Sequence, residues 1–262
     1  MIKTKILFFA VIFSLIQYSS ITGIAFDIHP LTSITKKAEQ GDLDSQFDLG
    51  WRYQKGKGVK KDDAMAFRLW SAAAEKGHVA SQYNLALLYA NGLGVDKDDA
   101  EAIKWLRKSA QAGFPHAQRN LGFCYHEGRG VEQDGSKAFQ WFRKSAINGL
   151  PGGQFCLAYC YSKGIGVKMN PVEAAKWFRE SALNGSIDGQ YITGLRYKNG
   201  SGVDKDIVES FAFFNLASMN KHDDAHRNRI QIAKGMTREQ IAEGKRRTKE
   251  LQEQIKTVLP RN

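Results

Sequence analysis

Cysteine is rare in this sequence, with three residues in 262. An odd number cannot pair completely within one chain, and Cys124, Cys156 and Cys160 lack the histidines or second cysteine pair of a zinc site. A bridge between stacked helices would need favourable local geometry, because its Cα atoms must approach within about 7 Å. We therefore expect buried thiols, while a disulfide between any two of them stays open.

Catalytic and nucleotide-binding motifs are also missing. No Ser-His-Asp, Cys-His or paired-carboxylate arrangement can be assembled from spacing, and the Gly-Lys-Gly at 56–58 lacks the preceding strand that a phosphate loop requires. His222 and His226 have a metal-binding spacing of i and i+4, but no third ligand follows in phase, so a surface helix is the better interpretation. The sequence predicts no catalytic residue, no metal and no cofactor.

Only one long apolar segment is present, at the N-terminus. Lys3 and Lys5 precede a nearly unbroken apolar run over residues 6–16, and small residues follow at 23–25. This order is typical of a secretory signal peptide, cleaved to leave a mature chain from Phe26. An uncleaved anchor is the alternative, although polar residues interrupt the run. Because no cysteine follows that could carry a lipid, we expect a periplasmic or secreted protein with no integral membrane segment after cleavage.

Acidic residues are outnumbered, with 27 Asp and Glu against 38 Lys and Arg, which gives a formal net charge of +11. The basic excess is concentrated in residues 221–262. Such a balance favours nucleic acid or anionic surfaces, but an exported chain rarely meets nucleic acid and a basic terminal helix is usually just solvated. We expect no nucleic-acid partner.

Glycine, in contrast, is abundant, with 25 residues against five prolines, and it recurs at fixed intervals. A Gly-x-Gly-Val turn returns every 36 residues, from 56–59 to 200–203. The same period holds for Tyr53, Tyr89, Tyr125, Tyr161 and Tyr197, and for Gln46, Gln82, Gln118, Gln154 and Gln190. Five copies in register predict a repeat architecture.

Each copy contains two predicted helices. Helix A ends at the glycine turn, and helix B begins after a capping residue such as Asp98. The inner face of helix B is predicted to carry a small residue and a large one three positions later, as in Ala138 and Trp141. Gly77 and its equivalents end helix B in the left-handed conformation, but the fifth copy has Lys221 there, and we expect that copy to exit differently.

One helical pair cannot bury its apolar stripes alone, so each copy must pack on the next. We predict an all-α fold, a right-handed α/α superhelix or solenoid of five 36-residue helix-turn-helix repeats with terminal capping helices. The expected organisation is a signal peptide at 1–25, an N-terminal half-repeat cap at 26–44, repeats at 45–224 and basic capping helices at 225–262, with Thr237 as an N-cap.

The pattern Ala/Ser-Gln-x-x-Leu-Gly/Ala-x-x-Tyr-x-x-Gly-x-Gly-Val-x-x-Asp, followed by Ala-x-x-Trp-x-x-x-x-Ala-x-x-Gly, is complete at residues 117–149. It resembles the Sel1-like repeat family, an α/α solenoid related to tetratricopeptide repeats, and the resemblance covers residues 36–224. It implies an adaptor that holds another protein or peptide in signalling, envelope assembly, quality control or host interaction, without a shared active site.

Two functional classes remain at this point. The first is an exported interaction scaffold, in envelope regulation or host interaction, and the second is a cell-wall-acting enzyme. Penicillin-binding or β-lactamase-like activity is associated with secreted members that carry a cysteine pair in every repeat. Because this chain lacks those pairs, that activity is not carried over, and we expect no enzyme. The oligomeric state stays open.

Candidate partner-binding residues come from helix A, which lines the concave side in related solenoids. The predicted site residues are Asp48, Arg52, Asn84, Leu88, Asn120, Glu127, Lys163, Arg196 and Asn199, and the same stripe holds Lys55, Asn91, Cys124, Cys156, Cys160 and Ile192. Variation between copies fits a groove for a particular ligand and also fits plain solvent exposure. We favour the groove, because the amides of Asn84 and Asn120 could clamp a peptide backbone. The neighbouring aromatic stripe, including Phe47 and Trp51, is expected to pack between repeats, with a ladder of rings that stacks on a ligand as the alternative.

Overall fold

The computed structural model describes residues 31–258, and within that range all regular structure is α-helical. The predicted signal peptide at 1–25 lies outside the described residues. The thirteen helices of the described range are α1 Leu31–Glu39, α2 Leu43–Lys55, α3 Asp63–Glu75, α4 Val79–Asn91, α5 Asp99–Gln111, α6 Pro115–Glu127, α7 Gly135–Ile147, α8 Pro151–Lys163, α9 Pro171–Leu183, α10 Ile187–Asn199, α11 Ile207–Met219, α12 Asp223–Ala233 and α13 Arg238–Val258. The all-α prediction is confirmed.

The helices form five A/B pairs, from α2 and α3 to α10 and α11. From α1 to α12, each helix packs against the next one along the chain, so the pairs stack as a solenoid. Helix α1 precedes the first pair, and α13 lies against α11 and touches α9. None of the helices between residues 31 and 258 is both long and apolar enough to cross a membrane.

Helix boundaries follow the capping residues that the sequence indicates. Asp98 accepts hydrogen bonds from the backbone N–H groups of Ala100 and Glu101, both at 2.9 Å. Thr237 and Gln240 exchange hydrogen bonds between side chain and backbone, which is a capping box at the entrance to α13. The predicted caps therefore hold the helices as expected.

The exit from the last repeat differs from the prediction. Lys221 adopts φ +64, in the left-handed region used by Gly77, Gly113 and their equivalents. The chain then enters α12 as it enters α4, because His222 accepts the Ala225 N–H at 3.3 Å. The expectation of a different exit is wrong. The entry into α12 requires the same left-handed backbone turn, and Lys221 adopts it despite the steric strain that a Cβ atom causes in this region.

The repeated glutamine connects neighbouring repeats. In every copy its Nε2 donates to the carbonyl oxygen of the alanine eight residues earlier, at the end of the preceding helix, over 3.1–3.5 Å. The pairs are Gln46–Ala38, Gln82–Ala74, Gln118–Ala110, Gln154–Ala146 and Gln190–Ala182. Carbonyls in the last turn of a helix have no partner within it, so this bond satisfies a group that would otherwise be unpaired and buried.

The other amide atom of this glutamine is satisfied in only some copies. Asn148 donates to Gln118 Oε1 and Asn184 to Gln154 Oε1, each at 2.9 Å. The position equivalent to Asn148 one repeat earlier is Ala112, and Gln82 Oε1 is buried without a partner among residues 31–258. At Gln82 the difference is therefore a missing donor, whereas Gln190 Oε1 is unpaired within the same range because Asn220 Nδ2 donates to the Leu216 carbonyl oxygen instead.

Ala112→Asn is expected to raise the free energy of unfolding by about 1 kcal/mol, because it supplies that donor to a buried oxygen. The exposed Ala112 has φ −72 and ψ 2, close to φ −76 and ψ 14 at Asn148, so the backbone is suitable. Urea unfolding followed by circular dichroism measures the gain. Ala112→Asp has the same shape without the donor, and an equal gain from it would contradict this explanation.

Close contact between helices A and B depends on a small residue facing a large one. A Cβ on Gly50 would lie 2.5 Å from Nε1 of Trp70, and one on Gly122 would lie 2.6 Å from the Phe142 ring. The helix B residues that face this small position are Trp70, Leu106, Phe142, Phe178 and Phe214, all buried. The predicted inner-face residue Trp141 is only partly buried and is covered by Lys144, 4.2 Å from its ring centroid. The prediction holds for Trp105 and Phe213, which are buried. In the other copies the predicted large residue is only partly buried, and the next residue of helix B packs against the small residue of helix A.

Candidate functional site

Three of the predicted groove residues are buried in the solenoid. The exposed fraction is 3% for Asn84, 0% for Leu88 and 6% for Asn120. Asn120 Nδ2 donates to the hydroxyl of Tyr83 in the preceding repeat at 3.1 Å, and Leu88 packs in the core cluster with Trp70. The expectation that these side chains face an open groove is wrong, since helix A is covered on more sides than a one-face pattern assumes.

Asp48 and Arg52 lie at the front of the solenoid and remain partly exposed. Arg52 Nε donates to Asp48 Oδ2 at 3.2 Å, one helical turn apart. Side-chain exposure is 13% for Arg52 and 19% for Asp48, so the pair is largely covered and its charges balance each other. These two residues hold each other rather than present a free charge.

The last residue of each A helix is exposed in all five repeats. These residues are Lys55, Asn91, Glu127, Lys163 and Asn199, and we call them the exposed row. Each precedes a left-handed glycine, so the chain turns away and leaves the side chain uncovered. Three members of the predicted site, Glu127, Lys163 and Asn199, belong to this row. Its charge changes from copy to copy, while its position does not.

A second row lies one helical turn earlier on the same helices. It contains Trp51, Leu87, Phe123, Tyr159 and Leu195, all partly exposed, and we call it the apolar ladder. Phe123 meets Phe142 of its own repeat edge-on, with ring centroids 5.1 Å apart, and packs in one apolar cluster with Cys156 and Cys160 of the next repeat. The stripe therefore packs between repeats, as predicted, and also within them. The same side chains also keep an accessible edge, which the alternative of a ligand-stacking ladder requires. Large side chains repeated at one position were the sequence signal for this row.

Arg196 is a partly buried member of the predicted site. Its guanidinium lies 5.1 Å from the centroid of the Phe178 ring, and Nη1 donates to the carbonyl oxygen of Ser201 at 3.2 Å. Burial lowers the pKa of this side chain from its ordinary value. Two contacts therefore fix the orientation of a guanidinium that retains further donors.

The cysteines are free thiols in the structure. Cys156 and Cys160 are buried in a cluster with Ala138 and Phe142, and burial raises the pKa of each thiol to about 12. Burial raises the pKa of Cys124 to about 11. Thiols with such values stay protonated near neutral pH, which suits packing and disfavours nucleophilic chemistry.

The structure brings together one Asp-His-Ser group that spacing did not reveal. His78 Nε2 lies 3.3 Å from Asp44, and its Nδ1 lies 2.7 Å from the Ser81 hydroxyl. Nδ1 also accepts the Ser81 backbone N–H at 3.3 Å, so this histidine is the N-cap of α4. Ser81 is 0% exposed. A substrate cannot reach a buried hydroxyl, and the group is a helix cap.

The predicted surface histidines also act at a helix start. His222 caps α12, and His226 Nδ1 lies 3.1 Å from the Ser218 hydroxyl. Within residues 31–258, no three His, Cys, Asp or Glu side chains are grouped so that they could hold a metal ion.

Comparisons with known proteins agree with this geometry. The Sel1 repeat model matches residues 43–78, 79–114, 115–150, 151–186 and 187–222. A protective antigen present in uropathogenic Escherichia coli strains, displaying an SLR fold, is 33% identical with a TM-score of 0.74, over 84% of this chain and 48% of that one. The chain thus spans about half the length of that antigen. A Sel1 repeat protein from Oxalobacter formigenes is 29% identical with a TM-score of 0.74, over 87% and 93%.

More distant structures show the fold alone. An immunity protein from Pseudomonas aeruginosa is 18% identical with a TM-score of 0.51, over 80% of this chain and 83% of that one. A search of curated proteins found no match. Five consecutive matches and two similar solved structures cover most of the solenoid, and the chain belongs to the Sel1 repeat family.

Proposed function

We propose that this protein is an exported scaffold that binds another protein or a peptide along the helix A side of its solenoid. The observation that carries the proposal is the apolar ladder beside the exposed row. Partly exposed aromatic and aliphatic side chains, bordered by polar ones, are the composition of recognition surfaces. Because both rows run through all five repeats, an extended partner would contact several of them.

The division between constant and variable positions supports a binding role. The positions of Gln118, Tyr125 and Gly128 are the same in every copy, and the glutamine contacts show that this constancy serves the stack. The exposed row changes between lysine, asparagine and glutamate. The stacking of repeats does not constrain these side chains, so their charge is free to match the chemistry of a partner.

A scaffold accounts for the side chains better than a cell-wall-acting enzyme. Among residues 31–258, the Asp-His-Ser group that resembles catalytic machinery encloses the buried Ser81 hydroxyl, and the thiols of Cys156 and Cys160 are buried and protonated. Within this range, neither the Ser81 hydroxyl nor these two thiols line an opening large enough for a substrate. Export is supported by the apolar run at residues 6–16, and the related E. coli protein is a protective antigen, which fits an exported protein.

The exposed row provides the test, through Glu127→Lys combined with Lys163→Glu. This double charge swap keeps the net charge and alters side chains that contribute little to packing, so partner binding is expected to fall at least about tenfold, the equivalent of 1.4 kcal/mol. The protein is recovered from the periplasm of a bacterial host, with a mass that corresponds to a start at Phe26. Partners are identified by crosslinking and mass spectrometry, and binding is then measured with the purified partner.

A matched control is Arg68→Glu with Glu75→Lys, which swaps two exposed charges on helix B of the first repeat. The control variant is expected to bind as the wild type does. If the charge-swap variant of the exposed row binds the partner as tightly as the control variant does, the exposed row is not part of the interface. A recovered chain that retains residues 1–25 would contradict cleavage before Phe26, and absence of the protein from the periplasm would contradict export.

A further inference from the structure

A cavity of about 240 Å³ opens between α9, α10 and the turn that follows α10. Ala175, Thr193 and Tyr197 line it, together with Val172 and Val203. It therefore lies at the junction of the fourth and fifth repeats, beside the exposed end of α10.

The cavity exists because this junction has lost side-chain volume. Position 175 corresponds to Phe67, Ile103 and Phe139 in the earlier repeats. Phe67 and Phe139 each pack edge-on against the repeat tyrosine of the next copy, with ring centroids 5.4 Å apart. Ala175 cannot reach Tyr197 in this way. Thr193 also replaces the leucine that the other four copies carry, so two neighbouring positions have smaller side chains at this junction.

The walls of the cavity are cationic as well as apolar. Lys176, Arg179 and Arg196 line it, and no acidic side chain does. Lys176 lies 4.0 Å from Glu173, whereas among residues 31–258 no carboxylate forms an ion pair with Arg179 or Arg196. In the preceding junctions between repeats the position of Arg196 is Leu88, Cys124 or Cys160, all apolar, and in the first repeat it is Arg52, whose charge is paired with Asp48. This junction alone combines missing volume with a guanidinium oriented by Phe178 and Ser201.

We propose that this cavity binds the C-terminal carboxylate of a peptide together with the apolar side chain of its last residue. The apolar walls suit one aliphatic side chain, and the two guanidinium groups suit a carboxylate, which arginine binds through paired hydrogen bonds. In a terminal residue the carboxylate and the side chain branch from the same Cα atom, so both can enter one small cavity. The proposal rests on the scaffold function and specifies the kind of segment that one end of the solenoid accepts.

The test uses the mature full-length chain and a fluorescein-labelled peptide of glycine and serine that ends in leucine. The peptide is made with a free C-terminal carboxylate and with a C-terminal amide, and N-acetyl-leucine serves as the small-molecule arm. Fluorescence anisotropy is expected to show at least about tenfold tighter binding of the acid than of the amide, because only the acid forms charge-assisted hydrogen bonds. N-acetyl-leucine is expected to compete weakly, since it lacks the peptide backbone.

Two variants separate this site from others. Ala175→Phe introduces the side chain of positions 67 and 139, and it is expected to abolish binding without lowering the thermal midpoint. Arg179→Leu is expected to remove the preference for the acid. Arg107→Leu is its control, because Arg107 holds the same position on α5 and the variant changes the net charge equally.

Each other outcome overturns the proposal. Equal affinity for acid and amide, or retained binding by Ala175→Phe, would show that the cavity is not a carboxylate site. Binding that appears only when residues 259–262 are removed would assign the cavity to the protein's own terminus. Full competition by N-acetyl-leucine would assign it to a small carboxylate. All of these results leave the charge-swap test of the exposed row unaffected, so the two proposals fail separately.

Discussion

Gly166→Ala is expected to lower the free energy of unfolding by about 2–5 kcal/mol. Two costs add at this glycine. Its φ of +66 disfavours any side chain by roughly 1–2 kcal/mol, and a Cβ there would overlap the carbonyl oxygen of Gly135 at the start of α7. Such overlap with rigid backbone requires a shift of neighbouring elements and adds about 1–3 kcal/mol. Guanidinium chloride unfolding, followed by circular dichroism, measures the loss.

Gly58→Ala is the matched control for that experiment. Gly58 holds the same place in the turn and has φ +76, yet among residues 31–258 its Cβ would meet only Arg52 Nη1, at 4.0 Å. Within the described residues the equivalent contact is absent, because α1 begins at Leu31, four residues after the position equivalent to Gly135. Gly58→Ala is thus expected to cost only the backbone strain. Equal losses in the two variants would show that contact between the turn and the preceding helix B does not contribute to stability.

The same contact explains how far the fold could be predicted from the sequence. The period of 36 residues fixed the number and type of elements, because Gln118 and Gly128 each recur without slippage. Only the structure shows why these residues recur. The glutamine side chain reaches the end of the preceding helix, and the second glycine of the turn lies against the start of helix B of the preceding repeat. These are contacts between repeats, which a pattern within one repeat cannot reveal.

The candidate site was only partly predictable for a related physical reason. A helical wheel assigns one face to the core and the opposite face to solvent. Helix α4 instead packs against both α3 and α5, so Asn84 and Leu88 are buried on the predicted open side. Glu127 and Lys163 remain exposed because each is the last residue of its helix, before a glycine turn. Position along the helix, more than angle around it, determines exposure in this solenoid.

The cavity at the fourth junction could have been found by comparing copies. Ala175 stands where two other repeats have phenylalanine, and Thr193 where four have leucine. Each change alone is an ordinary substitution. Their proximity follows from the packing of α9 on α10, and the sequence does not show which side chains of neighbouring repeats share a space.

His116 makes the stability of the protein depend on pH. The side chain is 4% exposed and lies near the rings of Phe114 and Tyr83, with centroids 5.7 Å and 6.1 Å away. Burial, followed by the charge of Arg119, lowers its pKa to about 4 from the ordinary value of 6.5. The folded state therefore favours the neutral imidazole. Between these two values the unfolded chain binds more protons than the folded one.

The direction of the effect follows from this difference. The contribution of His116 is fully present above pH 6.5 and is lost as the pH falls toward 4, at up to about 1.4 kcal/mol per pH unit. The total is about 3 kcal/mol. About 2 kcal/mol of it is lost by pH 5, above the range in which most carboxylates titrate. His78, whose pKa burial also lowers, adds to the loss in the same direction.

His116→Gln is expected to keep a polar side chain at this site and to remove most of the pH dependence between 7 and 5. The measurement is the free energy of unfolding in urea at several pH values. His126→Gln, at a partly exposed position on the same helix α6, is the control and is expected to retain the wild-type slope. A wild-type stability that stays constant from pH 7 to 5, or equal slopes in the wild type and His116→Gln, would contradict this prediction. The imidazole would then be equally easy to protonate in the folded and unfolded chains, and its burial would carry no electrostatic cost.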